Sequence, residues 1–480
     1  MRGIGLLRFP VAALAFSFPM MLPAFVLALV FNEKQMISGI GISLAAVVLL
    51  APPVFLSFKK KAPRIYSRDG FFAVTLTWIV ITVWGALPYC FVDGINFLDA
   101  LFESAGAFAT TGATTISDVE ALPRSLMFWR CASYWIGGMG ILLLTVAFMP
   151  LLGVGGFQLV KAETTGPEKD KITPKITATA KTLWLFYCAM TFGLFLLYML
   201  GGMNAFDAIC HSFSTVSTGG ISTKNDGLLY YNSPYLEVVF MLFLFFSAVN
   251  FNLYYYLLKG NLREIFYNSE LRAYVLIAVV CSAIVVFDIR SFYDSFEDAL
   301  RLGSFQTLAF LTTGGTAIAK YGEWPPLAQT VLFLLMFAGG CSGSTAGGIK
   351  IIRHVVVYKQ AGNEIQKLLY PRGVFSIQLN GKVGRKDVVY GVAGFVFLYL
   401  FITMITALLT AASGFDIVTS ISTALSVIGN IGTGFGSFAP GANYSIFAPH
   451  LKAIYIVVML AGRLELWAML ILFKRDYWRG

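Results

Sequence analysis

The sequence predicts an all-α polytopic membrane protein. It has four pseudo-symmetric repeats around a central axis, each a span, a half-helix, a glycine loop and a second span. Two extra N-terminal transmembrane helices precede them. Three observations carry this reading. The 480 residues are 57% hydrophobic and only 12% charged, with a mean hydropathy of +0.74. The apolar residues gather into long runs nearly free of charge. A Ser/Thr/Gly motif, fullest in "HSFSTVSTGGIST" at 211–223, recurs four times at intervals of about one hundred residues.

Apolar runs of about 18 residues or more read as membrane spans. Residues 9–31 carry no charge, and further runs lie near 36–58, 70–92, 126–152, 182–203, 234–258, 271–289, 326–342, 388–412 and 448–473. The first run is long for a signal peptide, lacks an evident small-residue cleavage site and is soon followed by a second span, so it reads as a retained helix.

The charges sort by loop. Paired hairpins place residues 1–8, 59–68, 161–181, 259–272, 350–386 and the C-terminal tail on one side of the membrane. These segments hold 26 of the 35 Lys and Arg residues. The positive-inside rule then makes that side cytoplasmic, with both termini in it. The net charge of +10 is thereby topological, and no nucleic-acid surface is needed to explain it. Of the 25 acids, 15 fall on the other side, Asp93, Asp118, Asp226 and Glu323 among them, where together they would concentrate cations. The six cysteines form no C-x-x-C pair and the three histidines are dispersed, so no metal site, disulfide framework or catalytic triad is indicated.

The repeated motif reads "TTGATT" at 110–115, "STGGIST" at 217–223, "TTGGT" at 312–316 and "IGNIGTGFG" at 428–436. Aligning the central glycines pairs Gly112, Gly219, Gly314 and Gly432. Upstream stand "NFLDALFES", "NAFDAICHS", "SFEDALRLG" and "GFDIVTSIS", where Asp99, Asp207, Asp298 and Asp416 suit helix caps or first turns. The segments they open are too short to cross a hydrocarbon core of about 30 Å, and so suit re-entrant half-helices. Irregular backbone at membrane depth is tolerated only where it lines water or is buried in protein. Four glycine loops around one axis suit a ring of backbone carbonyls that replaces a cation's hydration shell, with four half-helix dipoles turning their negative ends toward it. The divisions expected are 1–68 for the two extra helices, then 69–160, 161–259, 260–360 and 361–480 for the repeats.

These motifs resemble the TrkH/KtrB/HKT superfamily of potassium transport proteins over essentially the whole chain, and the two extra N-terminal spans favour the TrkH type. The resemblance implies potassium uptake across the bacterial inner membrane. Its K+ selectivity filter would comprise Thr110, Thr111 and Gly112, then Ser217, Thr218 and Gly219, then Thr312, Thr313 and Gly314, then Asn430, Ile431 and Gly432. No cofactor is expected in the chain, and K+ is the transported ion. A homodimer is implied, together with a cytosolic ring of nucleotide-binding subunits, TrkA, for which the basic segments 161–181 and 350–386 offer docking length.

Two further stretches stand out. "FAGGCSGSTAGGIK" at 337–350 interrupts an expected span with five glycines. It fails as a phosphate-binding loop, because Ile349 follows Gly348 and no Ser or Thr follows Lys350. Its residues alone fit either a packing kink or a movable break. The resemblance implies a gate formed by Gly339, Gly340, Gly343, Ser344, Thr345, Gly347, Gly348 and Lys350. "LAGRLELW" at 460–467 places Arg463 inside a span, which is costly and functional by default. Glu465, two residues on, cannot face it on a helix, so each needs another partner. The resemblance places Arg463 in the pathway as an electrostatic barrier; a purely structural ion pair is the competing reading. His211 is assigned no role beyond packing. Asn250 and Asn252 are expected to form interhelical hydrogen bonds. A secondary transporter of another cation or small solute, built on broken helices, is the alternative function. No constellation supports an enzyme.

Overall fold

The structure is a computed structural model that describes residues 7–56, 67–148, 176–380, 382–383, 386–439 and 442–479. The expected boundary at 160/161 and most of the basic segment 161–181 lie outside the described residues. The described chain is helical apart from loops and a hairpin of two two-residue strands, β1 (Gln378–Leu379) and β2 (Lys382–Val383).

Two antiparallel neighbours, α1 (Arg8–Val30) and α2 (Lys34–Leu56), open the chain. Repeat one follows as α3 (Ser67–Ala86), the half-helix α4 (Phe97–Phe108) and α5 (Arg124–Phe148). Repeat two has α6 (Ile176–Leu200), the half-helix α7 (Ala205–Val216), α8 (Pro234–Ser247) and α9 (Phe251–Leu258). A short α10 (Leu262–Phe266) leads to α11 (Ser269–Ile289), the half-helix α12 (Phe296–Leu311), α13 (Pro326–Leu335) and α14 (Ile351–Leu369). The last repeat has α15 (Lys386–Ala412), the half-helix α16 (Ile417–Gly429), α17 (Pro449–Arg463) and α18 (Trp467–Leu470).

The first spans behave as expected. Among the described residues, six helices are long and apolar enough to cross a membrane. These are the two N-terminal helices and the helices α3, α6, α11 and α15 that open the repeats. Each turns large apolar side chains such as Leu49, Leu185, Phe287 and Phe397 outward, as a lipid-facing surface requires. Three of the four second spans depart from expectation. Repeat two bends by 91° between α8 and α9, and repeat four by 115° beyond Arg463. The run at 326–342 is not a span at all: α13 ends at Leu335, after ten residues, because the glycine-rich segment that follows cannot sustain the helix. Among the described residues six continuous spans remain, or up to eight if each bent pair counts as one, while the expected run 126–152 forms the unbroken α5 and continues outside the described residues. One apolar core runs through all four repeats, including Trp129, Tyr187, Phe310 and Tyr455. Beyond their first turns the half-helices are largely buried in it.

Candidate functional site

Each half-helix begins with a side-chain cap. Asn96 accepts from the Asp99 N–H at 2.9 Å, Asn204 from Asp207 at 2.9 Å, Ser295 from Asp298 at 3.0 Å and Asp416 from Thr419 at 3.1 Å. Three of the expected aspartates therefore sit in the first turn, three residues after the cap. Asp416 is itself the cap, so its register equivalent in repeat one is Asn96 rather than Asp99.

The C-terminal ends are closer copies still. Thr110, Thr218, Thr313 and Asn430 all occupy the left-handed region, at φ of 54°, 55°, 56° and 55°. The next N–H in each case returns to the last turn: Thr111 to Gly106 at 2.8 Å, Gly219 to Ser214 at 2.8 Å, Gly314 to Ala309 at 2.8 Å and Ile431 to Ser426 at 2.9 Å. This is the 6→1 closure of a Schellman end. One residue further on, a glycine again has positive φ: Gly112 at 75°, Gly220 at 68°, Gly315 at 58° and Gly432 at 89°. The equivalent glycines are therefore Gly112, Gly220, Gly315 and Gly432. Aligning on Gly219 and Gly314 is one residue early in the middle repeats, because each carries a Gly-Gly pair and the backbone needs the second member.

These four glycines close a ring. A Cβ built on Gly112 would lie 2.6 Å from the carbonyl oxygen of Gly219. A Cβ on Gly220 would collide with the carbonyl of Gly314, one on Gly315 with that of Ile431, and one on Gly432 with that of Thr111. Each loop thus abuts the next, and the fourth abuts the first. Thr111, Gly219, Gly314 and Ile431 occupy one register position, so their carbonyls form one layer. Such a layer offers uncharged oxygen donors from four sides, the chemistry that suits a partly dehydrated cation.

The glycine-rich segment 337–350 packs beside this ring. The Gly347 N–H donates to the Thr313 hydroxyl at 2.7 Å, and the Thr345 hydroxyl donates to the carbonyls of Val216 and Ser247, each at 3.1 Å. Gly347 also lies against the end of α16, where an added Cβ would meet the Gly429 carbonyl. The stretch therefore touches the ends of α7, α12 and α16. Its turns use Gly343 and Gly348, at φ of 69° and 68°. Gly339 accommodates the close approach of Gly347, and Gly340 lies against Ala248. Ser344 folds back on the Cys341 carbonyl at 2.6 Å, and Lys350 donates to the Ala346 carbonyl.

A cation transport family model, TrkH, matches residues 39–479. The chain belongs to the TrkH family. Curated relatives include the Trk system potassium uptake protein TrkH of Salmonella typhimurium, 36% identical over 100% of this chain and 98% of its own. Another is the Trk system potassium uptake protein TrkG of Escherichia coli K12, 37% identical over 96% of this chain and 95% of its own. The crystal structure of the potassium transporter TrkH from Vibrio parahaemolyticus covers 100% of both chains at a TM-score of 0.88 and 32% identity.

In this TrkH-family chain, Arg463 crosses between repeats. Its Nη1 donates to the Thr345 carbonyl at 2.7 Å and its Nη2 to the Gly137 carbonyl on α5 at 3.0 Å. It is 2% exposed, and its Nε has no partner among the described residues. Glu465 instead pairs with Arg353 of α14, whose guanidinium stacks on Phe395 at 3.6 Å. The expectation of separate partners holds, and backbone carbonyls rather than an acid receive Arg463. Asn250 caps α9, accepting from the Asn252 N–H at 2.9 Å, which replaces the expected interhelical bond.

Sequence reasoning missed buried acids, two of which bear on this site. Glu270 of α11 accepts from the Ser342 N–H at 2.6 Å, the Ser342 hydroxyl at 2.7 Å and the Ile352 N–H at 3.1 Å, tying down the 337–350 segment near its middle and just beyond its end. Glu103 of α4 is 1% exposed and pairs with the equally buried Arg130 at 3.2 Å. Each was legible only as an acid at the edge of an apolar run, a signal shared by many solvated residues.

Proposed function

We propose that this chain takes up potassium ions across the bacterial inner membrane, through a filter made by the ring of Thr111, Gly219, Gly314 and Ile431 carbonyls. The observation that carries the reading is the closure of that ring by four register-equivalent glycines. The filter residues are those expected from the sequence, with Gly220 and Gly315 added as the turning glycines. All four positions being glycine favours K+ over a narrower Na+ preference.

The 337–350 segment serves as the gate and Arg463 as the positive barrier beside it. The contact of Gly347 with Thr313 and the bond from Arg463 to Thr345 support this assignment. The repeats run 69–160, 161–259, 260–360 and 361–480, the last boundary falling within α14, and both termini are cytoplasmic. The protein works as a homodimer with a cytosolic nucleotide-binding subunit of the TrkA kind, docked on the basic segments that include 350–386. A secondary transporter with broken helices is disfavoured, because four rather than two copies of the central element meet.

The test is K+ and Na+ flux into liposomes holding the chain, alone and with its cytosolic partner, beside Gly112→Ser. The reading predicts K+-selective flux that the substitution weakens or makes less selective. Flux indifferent to the substitution would reduce the ring to a packing feature.

A further inference from the structure

Behind the ring, one register position is polar in every repeat. Glu103, His211, Gln306 and Thr423 each stand seven residues before the left-handed residue Thr110, Thr218, Thr313 or Asn430. All four are buried, with 2% exposure or less. A buried polar side chain is costly unless it is hydrogen-bonded, and in three repeats its partner is the strand that leaves the filter.

The strength of this tie falls from repeat one to repeat three. Glu103 accepts from the Thr114 hydroxyl at 2.8 Å and from the Thr115 N–H at 2.5 Å and hydroxyl at 3.2 Å. Arg130 holds its second oxygen, so the carboxylate is both charged and oriented. The His211 Nε2 meets the Ser222 hydroxyl at 3.3 Å. Gln306 donates to the Thr316 carbonyl at 3.5 Å, the outer limit of a hydrogen bond. Thr423 has no partner among the described residues; the preceding Ser422 takes its place, accepting from the Phe435 N–H at 3.0 Å and donating to the Phe435 carbonyl at 3.1 Å.

We propose that Glu103 is a selectivity-determining positioning residue, which sets the K+ over Na+ preference by clamping the Thr114–Thr115 strand behind the carbonyl ring. The inference rests on the filter reading above. A ring that discriminates ions of different radius must resist contracting onto the smaller one. That resistance comes from whatever holds the loops from behind. In repeat one it is three bonds to a charged, ion-paired acceptor, and charge-assisted bonds are roughly twice as strong as neutral ones. In repeat three the equivalent Gln306 contributes one long bond, so this tie is strong on one side of the ring and weak on another.

The test compares wild type with Glu103→Gln, Glu103→Asp, Thr114→Val and Gln306→Ala in liposomes, reading Na+ and K+ flux separately. Glu103→Gln is expected to raise the Na+/K+ flux ratio by roughly tenfold, the scale of one lost charge-assisted bond, while K+ still passes. Glu103→Asp, which keeps the charge on a shorter arm, should recover part of the preference. Thr114→Val removes one strand-side donor and leaves the Glu103–Arg130 pair intact. It should shift the ratio the same way by a smaller factor, and it decides the matter if Glu103→Gln does not fold. Gln306→Ala should move the ratio least. An unchanged ratio in Thr114→Val and in any folded Glu103 variant, with K+ flux retained, overturns the proposal and leaves Glu103 a structural ion pair. Wild-type protein that passes K+ and Na+ alike would instead overturn the filter reading itself.

Discussion

The ring of glycine loops and the helices beneath it follow opposite rules. At the ring the four repeats agree to within 2° in the left-handed φ and to within 0.1 Å in the bond that closes each half-helix. Beneath it no two second spans match. The helix α5 runs unbroken for 25 residues, α8 and α9 bend by 91°, α13 stops after ten residues, and α17 bends into α18 by 115°. Symmetry is kept where four loops must present one layer of donors, since a single displaced carbonyl weakens the layer from every side. On the proposed gate reading, it is abandoned where one element suffices to block or move. The ring's uniformity also costs something. Three of its four left-handed positions hold threonine, a β-branched residue strained there by about 1–2 kcal/mol, where glycine or asparagine would be at ease. Surrounding packing must hold that conformation, and the Thr313 hydroxyl at least has a use, receiving the Gly347 N–H.

The sharpest way to break the comparison is to put a methyl on each member of one Gly-Gly pair. Gly315 has positive φ, and its added Cβ would strike the Ile431 carbonyl, a backbone atom with nowhere to go. Gly314 lacks the positive φ, and its Cβ would meet the far end of the Leu244 side chain, at 2.7 Å from Cδ1. Gly315→Ala is therefore expected to abolish K+ uptake. Gly314→Ala should retain a folded protein with flux reduced by about tenfold or less, the cost of modest overpacking. Uptake by a K+-uptake-deficient bacterium at limiting K+, with protein levels checked by blotting, separates the two. The reverse ranking would restore the alignment on Gly314.

That pair also marks where sequence reading reaches its limit. The apolar runs and the four motifs were legible because burial and glycine chemistry act locally. Choosing between Gly314 and Gly315 was not, since the choice depends on the Ile431 carbonyl more than one hundred residues away. Glu270 escaped notice for the same reason: its value lies in Ser342 and Ile352 of another segment. Arg463 was conspicuous because an arginine in an apolar run demands a partner, yet nothing local could say that the partners are carbonyls of repeats one and three. The break at 337–350 was visible as five glycines, while its contact with three half-helix ends was not.

Glu270→Gln tests the asymmetric side. The carboxylate accepts three bonds on the two sides of the segment's last turns. An amide can accept at only one of its two heavy atoms, so at least one buried donor at Ser342 loses its acceptor. A lost bond to a charged group is worth about 1.5–3 kcal/mol, which shifts the closed-to-open balance of the segment by roughly tenfold or more. Flux without the regulatory partner should rise by that order, with the Na+/K+ ratio unchanged because the ring is untouched. A changed ratio would mean that the two regions are not separable. Unchanged flux in a folded variant would remove the segment as the block.

The smallest expected effect measures how the two regions are joined. Thr313 and Thr110 occupy the same place in the ring, so Thr313→Val and Thr110→Val alter the local backbone preference alike. They differ in what the hydroxyl does. That of Thr313 accepts the Gly347 N–H at 2.7 Å, whereas that of Thr110 has no partner among the described residues. Thr313→Val leaves a buried N–H without its acceptor, at about 1–3 kcal/mol; Thr110→Val leaves nothing unsatisfied. Subtracting one from the other removes what the substitutions share and isolates the contact between ring and segment. Partner-free K+ flux should rise severalfold in Thr313→Val over Thr110→Val, with selectivity alike in both. Equal flux in the two would mean that the Gly347–Thr313 bond does not help to hold the segment, and that the ring's strained threonines serve the ring only.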